Sequence, residues 1–292
     1  MPTTLLAFLS LLVALIGIPS ESRAWGQEGH SIVAELAERR LSKGAKEVLE
    51  AALGPGVSLA SISSWSDDWR ANGHNETKRW HFVDIDVSAT RPYDPLVDCK
   101  HEEEGDCIVA ALDRFTAIIS DPNVSPSDKR AAVMFITHLI GDLHQPLHCS
   151  ERDHDGGGNL FFVTFDGRKE DRKEAITFHS LWDSVLILER IYSWGTMVAD
   201  IEASVMPGIN AKIVAEGSFA DWANECHAAG ITAYSLLNEV PPKAHDKDYP
   251  LPLGTPYADA TVQIMKLQLA KGGIGLARVL NTALGTGNSD AD

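Results

Sequence analysis

Apolar and polar positions alternate with a helical rhythm over most of this chain. From His30, HSIVAELAERRL repeats apolar residues at helical spacing, and Leu41 closes the run before SKG. AKEVLEAAL predicts a second short helix that stops at GPG. ISSWSDDWRA predicts a helix or tight helical turn, with NGHNE as a loop behind it. WHFVDIDV alternates briefly and predicts an extended stretch, whereas Pro and charge make RPYDPLVDCKHEEEGD a loop. CIVAALDRFTAIIS and DKRAAVMFITHLIGDLH predict two further helices. The second starts at Ser125-Pro126 and is apolar over a wide face, as a central buried helix would be. Beyond the turn-rich DHDGGGN, NLFFVTFDG is the clearest strand, and KEAITFHSLWDSVLILERI returns to helix. Two long helical patterns follow over 209–239 and 256–283, separated by PPKAHDKDYPLPLGTP. The expected fold is mainly α: a single helical domain with at most a small β-hairpin.

The N-terminus departs from this rhythm. LLAFLSLLVALIGI is an uncharged run of fourteen residues followed by PSESRA. It is shorter than the ~20 residues a membrane-spanning helix needs. Small residues at Ser22 and Ala24 fit a secretory cleavage site, although MPTTL lacks the usual basic residue. The expectation is a signal peptide over 1–24 and a domain over 25–292 that begins at Trp25, with no membrane anchor in the mature form. The protein would then be secreted or periplasmic.

Composition adds two constraints. A formal net charge of -16 excludes any general electrostatic attraction to a nucleic-acid backbone, so a site acting on one needs local positive charge. The four cysteines contain no CxxC pair, which argues against a zinc–thiolate cluster, and in an exported chain they suggest two disulfides. Three pairings are open. Cys99 and Cys107 flank a short acidic loop and favour one another, which would leave Cys149 and Cys226 to close a long loop.

The candidate chemistry lies in the histidines and aspartates. HLIGDLHQPLH, residues 138–148, carries three histidines and one aspartate among apolar neighbours. His138 and Asp142 stand four apart, on one face of a helix, and His179 and Asp183 repeat the spacing in HSLWD. One such pair on a surface helix is ordinarily a surface hydrogen bond. Two pairs embedded in apolar sequence differ, because a buried carboxylate requires a cation or donors. Imidazole with carboxylate and no thiolate suits zinc and some other divalent metals, and spacing alone supports one or two ions. His148, His81, Asp67 and His30 are further candidates. A freed Trp25 could add its α-amino nitrogen and carbonyl oxygen as a chelate.

WGQEGH, WSDD, WHFVD, HLIGDLHQPLH, DHDGGGN, HSLWD and GIGLARVLN occur in this order across nearly the whole mature chain. Together they resemble the zinc-dependent single-strand-specific nuclease and 3'-nucleotidase family of fungi and plants, which has bacterial members. The resemblance implies a helical fold holding three zinc ions. Asp67, His81, His138 and Asp142 would hold the first, and His148, His179 and Asp183 the second. Trp25, His30 and the other oxygen of Asp142 would hold the third. It also implies paired cysteines and a structural role for His144, and it suggests that Gly273 and Arg278 serve packing. The implied reaction is hydrolysis of RNA and single-stranded DNA to 5'-phosphorylated products, with removal of phosphate from 3'-mononucleotides by a monomer. Arg70 is then the candidate clamp on the transition state, and Asp68 a weaker acid–base candidate. Asn159 is a candidate for orienting a ligand, and Tyr93, Phe161 and Phe162 are candidates for stacking on bases. Asn75-Glu76-Thr77 is a formal glycosylation sequon. Two alternatives from other classes are a zinc-dependent phospholipase C and an exported non-catalytic zinc-binding protein.

Overall fold

Eleven consecutive buried residues, Ala132–Asp142, run through the middle of a computed structural model that describes residues 25–99, 106–169, 171–237 and 241–285. The expected signal segment, 1–24, lies outside the described residues. In chain order the longer helices are α1 (Gln27–Glu38), α2 (Lys43–Leu53), α3 (Trp65–Ala71), α4 (Ile108–Ser120), α5 (Pro126–Asp142), α6 (Trp194–Ser204), α7 (Phe219–Ser235) and α8 (Thr255–Leu284). The buried stretch is the second half of α5. Its start is set locally: Ser125 Oγ accepts the Asp128 amide at 3.1 Å, and Pro126 sits in the first turn where no amide donor is needed. Helix α4 packs along α5 through Phe115 stacked on Phe135, with ring centroids 4.5 Å apart.

Helix α8 backs α1, and its glycines make the approach possible. A Cβ on Gly273 would lie 2.5 Å from Cβ of Leu36, and one on Gly275 would lie 2.9 Å from the Trp222 ring. Arg278 lies over Trp222 and donates to the Gly217 carbonyl at 2.9 Å. The GIGLARVLN run therefore serves helix packing. Among the described residues no helix is long and apolar enough to cross a membrane. Both disulfides, Cys99–Cys107 and Cys149–Cys226, are formed.

Three expectations are corrected. The hairpin of β1 (Phe162–Asp166) and β2 (Asp171–Thr177) gains a third strand, β3 (Leu251–Gly254), parallel to β1 on its free edge. That strand lies in the segment expected to be linker. Residues 171–177, of which KEAIT was expected to be helical, form β2 because β1 offers a ladder partner to β-branched Ile176 and Thr177. Helix resumes only at Phe178, where Thr177 Oγ1 accepts the Ser180 amide. The pattern over 209–239 is split into Ala211–Ala215 and α7, since Gly217 turns the backbone to φ +97° and Ser218 caps the next helix.

Candidate metal centre

Two of the fully buried polar residues, His138 and Asp142, lie one turn apart on α5. Asp142 is approached from two sides. His30 of α1 places Nε2 3.2 Å from its Oδ1, while His81 Nδ1 and His138 Nε2 stand 2.9 and 3.2 Å from its Oδ2. His30 stacks on His138 with ring centroids 4.0 Å apart. Asp67 of α3 turns Oδ1 to within 3.7 Å of His138 and 3.8 Å of His81. Two ligand clusters result, His30–His138–Asp142 and Asp67–His81–His138, with His138 in both.

The third cluster is His148, His179 and Asp183. His148 ends a short 3-10 turn, Pro146–His148, after α5; Asp183 sits in a π-helical turn, Leu181–Val185, a distortion common at functional sites. The Nε2 atoms of His148 and His179 are 3.0 Å apart, and Asp183 Oδ2 is 3.6 Å from His179.

Outer contacts fix which nitrogen faces inward. Nδ1 of His138, His148 and His179 donates to the carbonyls of Ser63, His81 and Gly157 at 2.6–2.7 Å, and His81 Nε2 donates to Ser66 Oγ at 3.3 Å. Gln145 Nε2 donates to Asp183 Oδ1 at 2.5 Å, while its Oε1 accepts the Leu147 amide. The triple-glycine loop presents the His179 acceptor. Gly157 has φ +63°, and a Cβ there would lie 2.4 Å from the Leu147 carbonyl oxygen. Asp155, buried and bonded by Tyr234, accepts the Gly158 amide and pins the loop.

These residues fit a cation. With Nδ1–H committed, the Nε2 lone pairs of His148 and His179 face each other, an arrangement that repels unless positive charge lies between them. Both ring nitrogens of His30, together with Asp67 Oδ1 and Asp142 Oδ1, are buried without a hydrogen bond. Burial lowers His30 to about 4, and burial with neighbouring His148 lowers His179 to about 3; burial also lowers His81 and His148. These imidazoles stay neutral, the form that ligates metals. Burial would lower His138 too, but Asp142 and Asp67 overturn that and raise it to about 9. Burial would raise Asp142, yet the surrounding imidazoles, His138 foremost, hold it well below the usual carboxylate range. A buried donor set of imidazole and carboxylate, without thiolate, is typical of zinc, and the three clusters are consistent with three zinc sites.

A cleft of about 930 Å³ opens over the third cluster. Arg70 lines it and is 3.3 Å from Asp67 Oδ1. Asn159 also lines it, donating to the Gly156 carbonyl, as does Asn75 of the sequon. Trp25 is fully buried, and Gly26 N donates to the Asp183 carbonyl at 2.6 Å, which ties the head of α1 to the third cluster. His144 keeps to the opposite side: it donates to the Ile140 carbonyl and contacts Trp222.

Four candidates fall elsewhere. Asp68 is exposed on α3, one residue out of phase with Asp67, and does not line the cleft. Tyr93 is half-buried with its hydroxyl 3.6 Å from Cys107 Sγ. Phe161 is core, packed on Phe178, and Phe162 sits on β1; neither lines the cleft. The aromatic that does line it is Phe82, with Asp84 two residues on. Burial, and then Glu151, raises the Asp84 carboxyl to about 7. The alternation in WHFVD could have identified both, since His81 and Val83 point inward and leave Phe82 and Asp84 on the other side.

A mainly helical fold with three neighbouring buried His/Asp clusters, two of which reach one cleft, defines a metal-dependent enzyme. The S1/P1 Nuclease family matches residues 25–285, and the chain belongs to that family. It is 29% identical to Nuclease P1 of Penicillium citrinum over 286 residues, covering 90% of this chain and 98% of that one. Identity to Nuclease S1 of Aspergillus oryzae is 28% over 208 residues, 68% of this chain and 67% of the relative. Identity to Endonuclease 2 of Arabidopsis thaliana is 28% over 284 residues, 89% and 91% of the two chains. Family and metal clusters together make this protein a zinc-dependent nuclease acting on nucleic acids.

Proposed function

We propose that the protein hydrolyses RNA and single-stranded DNA to 5'-phosphorylated products and removes phosphate from 3'-mononucleotides, using three zinc ions. The observation that carries this is the opposed Nε2 pair of His148 and His179 at the floor of a cleft that also holds Arg70. Asp67, His81, His138 and Asp142 would hold one ion, and His148, His179 and Asp183 a second. His30, the other oxygen of Asp142, and the α-amino nitrogen and carbonyl oxygen of Trp25 would hold the third. This last set requires cleavage after Ala24. The different directions of the two Asp142 oxygens support its sharing between two ions.

Zinc at such sites makes water acidic enough to serve as a nucleophile near neutral pH and offsets charge on phosphoryl oxygens. The protein supplies the rest. Ser63, His81, Gly157 and Gln145 hold the ligands before substrate arrives, which lowers the reorganisation needed at reaction. Arg70 places a guanidinium on the cleft wall, where a phosphoryl oxygen can take its N–H groups. Phe82 offers a ring for one base, with Asp84 placed to meet the base edge. A phosphate reaches this floor only when its base leaves the stack, which favours single strands. The two disulfides support export to an oxidising compartment; the enzyme would act there as a monomer with its signal segment removed.

Zinc content, measured on protein with Trp25 as its verified N-terminus, should be about three per chain. Chelation should abolish release of 5'-nucleotides from single-stranded RNA, and zinc should restore it. One zinc or none would refute the ligand assignment.

A further inference from the structure

Beside the cleft, on the side of Arg70, three rings stack into a ladder that the chemistry above does not use. Trp65 packs edge-on against Phe135 of the core, with centroids 5.2 Å apart. Trp69 stacks on Trp65 at 5.1 Å, and His74 lies on Trp69 at 3.7 Å with the planes only 10° apart. The order runs outward, from a core ring to a solvent-facing one. Trp69 keeps 37% of its surface exposed, and the His74 side chain 36%.

The outermost ring is held in place. Glu76 Oε1 lies 3.0 Å from His74 Nδ1, and Thr77 donates to the His74 carbonyl through both its amide and its hydroxyl. Gly73 makes the turn that brings His74 back over Trp69, at φ +102°. The ladder is also continuous with the cleft in sequence on both sides. Arg70 follows Trp69 directly, Asn75 and Glu76 follow His74 directly, and all three line the cleft. An exposed planar ring, backed by two others and anchored to a wall of the site, is what sequence-independent recognition of unpaired bases uses.

We propose that the outer face of His74, supported by Trp69, is a second base-stacking platform, which receives a nucleotide beyond the two that flank the scissile bond. This rests on the protein being a nuclease of single strands and adds to it a subsite outside the metal centre. It makes the chain a better binder of oligonucleotides than of dinucleotides even though its net charge is -16, because stacking needs no positive surface.

The test compares non-cleavable phosphorothioate oligomers, a dinucleotide and an octanucleotide, on the zinc-loaded enzyme, by binding and by inhibition of cleavage. For H74A and W69A the octanucleotide-to-dinucleotide affinity ratio should fall by between about fivefold and a hundredfold, the range for loss of one base–aromatic stack. His74→Tyr, which keeps a ring at the position, should retain the wild-type ratio. A ratio unmoved in H74A and W69A, or lowered as much in His74→Tyr as in H74A, would overturn the platform. Because binding is read without turnover, a selective loss of octanucleotide affinity in an enzyme that cleaves no single strand would sustain the platform and refute the nuclease reading instead.

Discussion

A Cβ on Gly141 would lie 2.7 Å from Nδ1 of His30. The glycine in HLIGD is therefore the space in which the imidazole from α1 rests, between the two α5 residues it must reach. Gly141→Ala should push His30 away from Asp142 at an overpacking cost of about 1–3 kcal/mol. Metal analysis should show about one zinc lost per chain, with the other two retained. Unchanged stoichiometry would mean that His30 is not required.

Gln145 touches Asp183 and the loop to His148 and does not line the cleft. Gln145→Leu should fold, since the position is wholly buried, while freeing the Asp183 carboxylate. Zinc affinity should fall by about 10–100-fold, the usual effect of removing a contact behind a ligand. Competition with a chelator measures this directly.

Acid should unfold the metal-stripped protein. His30, His144 and His179 are lowered to about 4, 4 and 3, so they take up protons only on unfolding, and their stabilisation is lost as pH falls below 6.5 through those values. His138, raised to about 9, acts oppositely but alone among the buried imidazoles. Thermal unfolding at pH 7 and pH 5 should show a marked drop in Tm for the stripped protein. An unchanged Tm would contradict the burial of these rings as neutral imidazoles.

Asp84 has the opposite sign. Its carboxyl, raised to about 7, favours the folded state below the unfolded value near 3.8 and loses that advantage as pH rises through 7. Asp84→Asn should raise stability at pH 8 by about 2 kcal/mol, less than full burial would give because the group is partly open to the cleft, and leave pH 4 nearly unchanged. Denaturant titration at the two pH values checks it. Selectivity among bases should change as well if Asp84 meets the base edge.

The helical frame was legible because its apolar periods are long and cleanly stopped, as at Ser125-Pro126 and before α8. What stayed hidden depended on partners distant in sequence. Strand β2 looks helical until β1 is beside it, and β3 contains Pro252, which suggests linker, yet a proline is tolerated on an edge. In the site, the His138–Asp142 and His179–Asp183 spacings revealed their faces directly. The supports did not show: nothing local says that Gly141 makes room for His30, or that Gln145 is aimed at a residue 38 positions away. Phe161 points into the core and Phe162 to the half-buried face of β1, a difference that adjacent aromatics in one strand-like run do not show.

The Cys149–Cys226 bridge begins one residue after His148 and closes 77 positions of chain onto α7, a restraint that removes about 4 kcal/mol of disorder from the unfolded chain. It clamps the segment that carries one zinc ligand to a helix that carries none. A chain still carrying its thiols must hold His148 by packing and by its hydrogen bonds to His81, Val83 and Gln145, without the covalent restraint. The metal centre of this nuclease is thus held most firmly where the surroundings keep that bridge oxidised.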